Sequence, residues 1–324
     1  MSELTAGNHS NKVSRTPLGV VKKILVLGRP RTWFFSYFAC LAGLAMGSQT
    51  PSLFVTVVAL VLFSVTTAAT NQLNAYTDRD EDEENLPGRV SMVDYVGPTR
   101  LRNVALGSFM AVVFVAFWLD TVFGVVMTVA ALDCIFYSMP PLRLKARPLA
   151  SLMAFSGAFG FPLVAGYLLT SPTISLPPIV AIMTFWFFTY GAVKNLPDYH
   201  GDKEAGLRTP ATIFDTRRDA VVFAAALLLT PFPLILGAAL SGLIATKYLL
   251  LLVFLLFLVY LLKKTFDSDT AKELEIAHTD GFFYAVSVSA VFFLLQTQSL
   301  RALALAAAPF ALLGVIEKAE FDSR

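Results

Sequence analysis

The sequence predicts an all-α, polytopic membrane protein, and three observations lead there. Of its 324 residues 56% are apolar and only 15% charged, with a mean hydropathy of +0.66, outside the range of soluble globular domains. Apolar stretches of about 20 residues, the length a helix needs at 1.5 Å rise to cross about 30 Å of hydrocarbon, recur between charged turns. The basic residues gather in alternate turns, as in a chain that threads back and forth with its positive loops on one side. The formal net charge of +2 gives no reason to expect a nucleic acid partner; the lipid bilayer is the expected one.

Residues 1–24 form a basic N-terminal tail, and the first 31 residues hold no separate short apolar core and no small-residue cleavage site, so no removable signal peptide is expected. Nine spans follow, at about 32–48, 53–77, 103–119, 121–138, 149–170, 177–197, 219–240, 245–262 and 280–296. Residues 25–296 thus make up a transmembrane domain, and 297–324 an apolar C-terminal helix and tail. The apolar piece 302–316, which ends at Glu317 and Lys318, is either a short tenth span or an interfacial helix. Lys12, Arg15, Lys22, Lys23, Arg29 and Arg31 precede the first span, and Arg79, Arg89, Arg100 and Arg102 follow the second. Arg143, Lys145 and Arg147 follow the fourth, Lys203, Arg208, Arg217 and Arg218 the sixth, and Lys263, Lys264 and Lys272 the eighth; Lys247 and Arg301 are the exceptions. The N-terminus and all five basic regions are therefore expected on the cytoplasmic side. The turns on that side, 78–102, 139–148, 198–218 and 263–279, are also the long polar ones, so that face is where chemistry is expected. Pro87-Gly88 is expected to break the helix leaving the second span, and Pro140, Pro141 and Pro148 punctuate the turn after the fourth. Cys40 and Cys134 lie inside apolar runs and read as small buried hydrophobes.

The segment after the second span carries Asn74, Asp78 and Asp82 at i, i+4 and i+8, so a continuing helix projects three hard oxygen ligands from one face. Like charges one turn apart repel unless a cation lies between them. An acidic run is otherwise a solvated loop, and Asp80, Glu81, Glu83 and Glu84, off that face, read as such, with Asp80 able to join a metal shell if the helix unwinds locally. The same spacing returns with Asp198 and Asp202 at the end of the sixth span, after Phe185-Trp-Phe-Phe-Thr-Tyr190. Two carboxylate sets on the same rim of apolar helices can hold Mg²⁺ against a diphosphate, because that small hard cation prefers carboxylate, phosphate and water oxygens.

With these motifs the chain resembles the UbiA superfamily of intramembrane prenyltransferases. The pattern N-x-x-x-D-x-x-x-D is matched by Asn74, Asp78 and Asp82; D-x-x-G-D by Asp198, Gly201 and Asp202; and a Tyr-Ser-x-Pro-Pro-Leu-x-x-Lys loop by Tyr137 to Lys145. The chain departs from the pattern in reading Asn85-Leu-Pro-Gly-Arg89 where many members have Asn-Arg-Pro, and in Lys194-Asn195 where relatives carry Lys-Asp or Asn-Asp. The resemblance implies nine helices around a central cavity capped by the motif loops. It also implies Mg²⁺-dependent transfer of a prenyl group from a prenyl diphosphate to an aromatic or other lipophilic acceptor. On that footing Asn74, Asp78 and Asp82 are expected to hold one Mg²⁺ and Asp198 and Asp202 another. Arg89, Arg143, Lys145 and Lys194, with Tyr137 and Asn195, are expected around the diphosphate. Lys194 is placed one turn before Asp198 if the helix runs on through Pro197.

Asp133, one turn before Tyr137 inside the fourth span, is an expected catalytic group, either a base for the acceptor or a partner for a basic residue near the cavity mouth. His200 reads as a loop residue. Phe34, Phe35 and Phe38 with Phe185 to Phe188 are candidates for an apolar wall, and Gly43, Gly47, Gly157, Gly160 and Gly166 for close helix approach. Two other readings compete: a terpene cyclase on the same scaffold, and a transporter or scaffold with a divalent-cation site.

Overall fold

The structure, a computed structural model, describes residues 15–204, 206–268, 271–297 and 299–318. Lys12, the first 14 residues of the basic tail and the last six residues of the C-terminal tail lie outside the described residues, as do the side chains of Glu84, Lys272, Glu317 and Lys318. The described chain is helical: α1 (Pro17–Leu27), α2 (Trp33–Met46), α3 (Leu53–Thr77), α4 (Arg79–Asn85), α5 (Pro87–Val96), α6 (Pro98–Leu119), α7 (Thr121–Ser138), α8 (Pro148–Thr170), α9 (Pro178–Lys194), α10 (Tyr199–Glu204), α11 (Arg217–Leu229), α12 (Pro231–Leu240), α13 (Phe254–Phe266), α14 (Ala271–Leu294) and α15 (Leu300–Lys318). Six of these start on a proline at the first position, where the missing N–H is no loss. Side chains of Ser52 and Asp120 cap α3 and α7, accepting from the amides of Val55 (3.2 Å) and Phe123 (2.8 Å).

Each apolar stretch is helical, and among the described residues seven are long and apolar enough to cross a membrane: Leu53–Thr77, Pro98–Leu119, Thr121–Ser138, Pro148–Thr170, Arg217–Leu240, Thr246–Phe266 and Ile276–Leu294. Their outer faces carry exposed apolar side chains such as Phe54, Val61, Phe114, Trp118 and Leu256, as contact with lipid requires. The stretches at 32–48 and 177–197 fold as the shorter α2 and α9, of 14 and 17 residues. The polar turns are more structured than expected. Residues 78–102 hold two short helices, because Asp78 ends α3 and Pro87 opens α5, and most of the segment before 280 already belongs to α14.

The helices close a ring: α2 packs on α3, α8 and α14; α3 on α6 and α7; α7 on α8; α8 on α9; α9 on α11, α12 and α14; α13 on α11 and α14. The tightest approach is α2 to α8. A Cβ at Gly43 would fall 2.2 Å from the Leu163 carbonyl oxygen, and one at Gly166 would fall 2.5 Å from that of Cys40. Gly43→Ala is therefore expected to separate the helices and lower stability by about 1–3 kcal/mol, read as a fall in the detergent unfolding temperature. Gly107→Ala on α6, where nothing lies within 4 Å, should leave it unchanged or slightly raised.

Candidate active site

Inside the ring is a cavity of about 290 Å³, with walls from α2, α3, α7, α8, α9 and α14 and a mouth formed by the polar segments after α3, α7 and α9. At its mouth α3 bends: Asp78 leaves helical geometry at φ −98°. Hydrogen bonds from the Asp78 amide to the Asn74 carbonyl (2.9 Å) and from the Asp82 amide to the Asp78 carbonyl (2.8 Å) nevertheless carry the helical register into α4. Asn74, Asp78 and Asp82 thus all line the cavity, and so does Glu81, which is not the solvated residue its composition implied. Glu81 is three residues from Asp78 and seven from Asn74, so it shares their face; that spacing was the available signal.

The segment after α7 supplies the counter-charges. Lys145 pairs with Asp78, and with Glu81 at 3.2 Å, while Arg143 pairs with Glu81 and is not among the lining residues. Ser138 donates to the Asn74 amide oxygen. Arg89, from α5, is buried with its Nε 2.8 Å from Asp82 Oδ2 and an Nη 3.7 Å from Asp78 Oδ2. The Nε contact is misaligned, so it is an ion pair by distance but leaves both atoms without a hydrogen-bond partner.

The helix α9 stops at Lys194, so it does not run on through Pro197 as expected. Asn195 caps it, with its Nδ2 donating to the Gly191 carbonyl at 3.1 Å, and Pro197 lacks the N–H that continuation would use. Lys194 turns instead to the α7 side, its Nζ donating to the Tyr137 hydroxyl at 3.2 Å and lying 4.9 Å from the centroid of the Phe155 ring. Asp198 and Asp202 keep their one-turn spacing through the Asp202 amide bond to the Asp198 carbonyl, 2.8 Å, and line the same cavity, as do Lys194, Asn195 and Tyr137.

Electrostatics tie the two acidic segments together. Burial pushes the Asp202 carboxyl up to about 7; the negative Asp198 and Glu81 add to the rise, and Lys145 and a hydrogen bond from Thr209 oppose it. Burial likewise lifts Asp82 to about 6, with Asp78 raising it further and Arg89, Arg29 and Lys145 opposing. Lys145 thus acts on carboxylates of both segments, and Glu81 of the first segment acts on Asp202 of the second. Among the described residues no three carboxylates, imidazoles or thiols stand close enough to make a metal cage by themselves. The donor set nevertheless fits Mg²⁺, which keeps several waters and usually takes one or two carboxylates together with substrate phosphates. The unpartnered Asp82 Oδ2 at the lining is an oxygen such a cation would satisfy.

The apolar wall differs from the expected one. Of the seven aromatic candidates only Phe35 lines the cavity; Phe34, Phe38, Trp186 and Phe187 are buried in the core, and Phe185 and Phe188 face a separate groove between α8 and α9. The wall is completed by Phe63, Phe155, Phe161 and Phe282, with Pro162 and the alanines 130, 154 and 158. Arg29 and Arg31, expected only as basic residues before the first span, also line the cavity, as do Thr209 and His278, which were not singled out from the sequence. His278 is one turn before Phe282 on α14, whereas His200 is exposed and stacks its edge on Tyr199. Both cysteines are free; Cys40 is buried, and Cys134 lines the cavity.

Comparison with known proteins gives the family and the fold. The family model of the UbiA prenyltransferase family matches residues 36–286. A lycopene elongase/hydratase of Halobacterium salinarum is 30% identical over 237 residues, 71% of this chain and 82% of that protein. A digeranylgeranylglyceryl phosphate synthase of Methanopyrus kandleri is 30% identical over 207 residues, 60% of this chain and 70% of its own length. The solved UbiA homolog from Archaeoglobus fulgidus bound to DMAPP and Mg²⁺ has the same fold, with a TM-score of 0.65 at 20% identity over 83% of this chain and 99% of that one.

Proposed function

Because this chain belongs to the UbiA prenyltransferase family and is a prenyltransferase, we propose that it moves a prenyl group from an allylic prenyl diphosphate to a lipophilic acceptor within the bilayer, with Mg²⁺, releasing pyrophosphate. The observation that carries this reading is the meeting of two carboxylate sets and three basic side chains, Arg89, Lys145 and Lys194, at one mouth of an otherwise apolar cavity. Asp78, Asp82, Asp198 and Asp202, with the Asn74 amide oxygen, would hold the cation. Bound there, Mg²⁺ neutralises charge that builds on the leaving diphosphate.

The chain's own groups do the rest. Lys145 and Arg89, already among the carboxylates, hold outer diphosphate oxygens, and Arg143 fixes Glu81 behind them. Lys194 fixes Tyr137, whose ring and hydroxyl stand at the step from polar mouth to apolar wall, beside Asn195. Phe35, Phe63, Phe155, Phe161 and Phe282 line the cavity, where they exclude water from the allylic carbons and offer π electrons to their developing positive charge. Breaking an allylic C–O bond is limited by the leaving group, so stabilising its charge is the main task of the site.

We place the transferase domain at 25–296 as nine crossings of the bilayer, with α2 and α9 among them, and the N-terminus and the cavity mouth on the cytoplasmic side by the distribution of Lys and Arg. The test is incubation of the purified chain with dimethylallyl and geranyl diphosphates and an acceptor panel of lycopene, geranylgeranylglyceryl phosphate and 4-hydroxybenzoate. Prenylated lipid and pyrophosphate are expected to form with Mg²⁺, to fall to background with EDTA, and to return on addition of excess Mg²⁺. Products from diphosphate alone would instead favour a cyclase, and no Mg²⁺-dependent pyrophosphate at all would favour a transporter or scaffold.

A further inference from the structure

Of the six carboxylates that line the cavity, five stand at its mouth on the two acidic segments; Asp133 stands on the wall of α7, a membrane-spanning helix. Asp78, Glu81 and Asp82 are each held by a basic side chain. Asp133 makes no hydrogen bond and no ion pair with any described residue, which removes its alternative role as partner of a basic residue at the mouth. An unpaired ionisable group at this depth is costly to keep in a fold.

Its position matches a reacting centre. Ser138, which bonds Asn74 at the mouth, ends α7, and Asp133 lies five residues earlier, about 7.5 Å down the helix axis. A diphosphate held among the carboxylates would hang its first allylic carbons into that gap. The facing helix α8 leaves room for the carboxylate: a Cβ at Gly157 would come 3.0 Å from Asp133 Oδ2 and 2.5 Å from the Phe161 ring. The carboxylate oxygen thus lies beside the aromatic wall where positive charge must develop.

We propose that the Asp133 carboxylate is the proton acceptor of the transfer; this rests on the prenyltransferase reading above. The C1–O bond breaks with its electron pair leaving on pyrophosphate, and a π pair of the acceptor forms the new bond to C1. The adjacent acceptor carbon becomes cationic. Asp133 then takes a proton from the carbon next to that cation, and the C–H pair restores the double bond. The proton passes to water as products leave. The acceptor class this requires is a π nucleophile, alkene or arene, that carries a removable hydrogen beside the cationic carbon and reaches the cavity with its reacting end.

The experiment compares wild type, Asp133→Asn and Asp133→Glu in two assays with Mg²⁺. One is scrambling of ¹⁸O from the bridging to the non-bridging positions of dimethylallyl diphosphate, which reports ionisation and return without an acceptor. The other is prenyl transfer to lycopene and to 4-hydroxybenzoate. Asp133→Asn should keep scrambling within about threefold of wild type and lose transfer by about 100-fold or more. Asp133→Glu, which keeps a carboxylate, should recover at least about tenfold of that loss. Near-normal transfer by Asp133→Asn overturns the proposal, as does loss of scrambling together with transfer, or a Glu variant no better than the Asn one. A wild type that neither scrambles nor transfers counts against the prenyltransferase reading itself.

Discussion

Asp78→Ala is expected to lower prenyl transfer by about a thousandfold or more, and Asp198→Ala to do the same, while both variants stay folded in detergent. The two carboxylates come from different acidic segments, yet they line one cavity, and Lys145, which pairs with Asp78, also acts on Asp202, one turn from Asp198. Each supplies oxygen where the leaving diphosphate must be held, so removing either takes away transition-state stabilisation that a neutral water replaces poorly. Neither removal strands a buried charge. Without Asp78, Lys145 still has Glu81 and Arg89 still has Asp82, and Asp198 is exposed at the rim. Asp80→Ala is the contrasting control: it sits in the same acidic run, but its side chain is 94% exposed and outside the lining, so activity should hold. Turnover measured at saturating prenyl diphosphate over a range of Mg²⁺, beside an unfolding temperature, checks the set. Full activity in either purified Ala variant would defeat the two-segment site.

The acidic spacing was legible because it depends only on helical register, and backbone hydrogen bonds preserve that register through the bend at Asp78. The bend itself was not, since nothing in Tyr-Thr-Asp-Arg marks a break; α3 stops where the neighbouring α5 and the segment after α7 claim its polar end. Glu81 was misread because charge density reads as solvation; its spacing from Asp78 gave the face, but its partners Lys145 and Arg143 lie more than 60 residues away in the chain. The aromatic wall failed for a related reason. Phe185 to Phe188 form one continuous apolar run, and which of them faces core, lipid or cavity is decided by α8, α11, α12 and α14 packing around α9, a relation between distant segments. Phe155 and Phe161 lie in α8, whose composition is apolar all round, so periodicity could not show their inner faces, and Phe282 opens the apolar half of α14 next to a second phenylalanine, Phe283. Asp133 was legible on its own, because a carboxylate inside an apolar span has few structural uses.

Arg89→Met should be the most destabilising single change at the cavity mouth, by about 3 kcal/mol at alkaline pH, with transfer reduced as well. Arg89 is 7% exposed and its guanidinium lies against Asp82, whose side chain is 10% exposed; methionine fills the space but leaves a carboxylate buried with no cation in direct contact. The loss depends on pH, and its sign follows from the direction of the Asp82 shift. Burial already holds the folded Asp82 near 6, above its ordinary value, and Arg89 is the largest influence pulling it down. Without Arg89 the folded value rises further. A group raised on folding weakens the fold as pH climbs from its unfolded value to its folded one, and the weakening stops once the folded group has ionised. In wild type that window closes near pH 6, whereas in Arg89→Met it stays open to higher pH. The two proteins should therefore differ least below pH 6, where the buried carboxyl is protonated in both, and diverge from there toward pH 8. Unfolding temperatures in EDTA-treated detergent solution between pH 5 and 8.5 measure this. A gap that is constant over the range would mean that Arg89 stabilises by packing alone. Addition of Mg²⁺ should then restore part of the variant's lost stability at pH 8, since a cation at the mouth supplies the positive charge that methionine lacks.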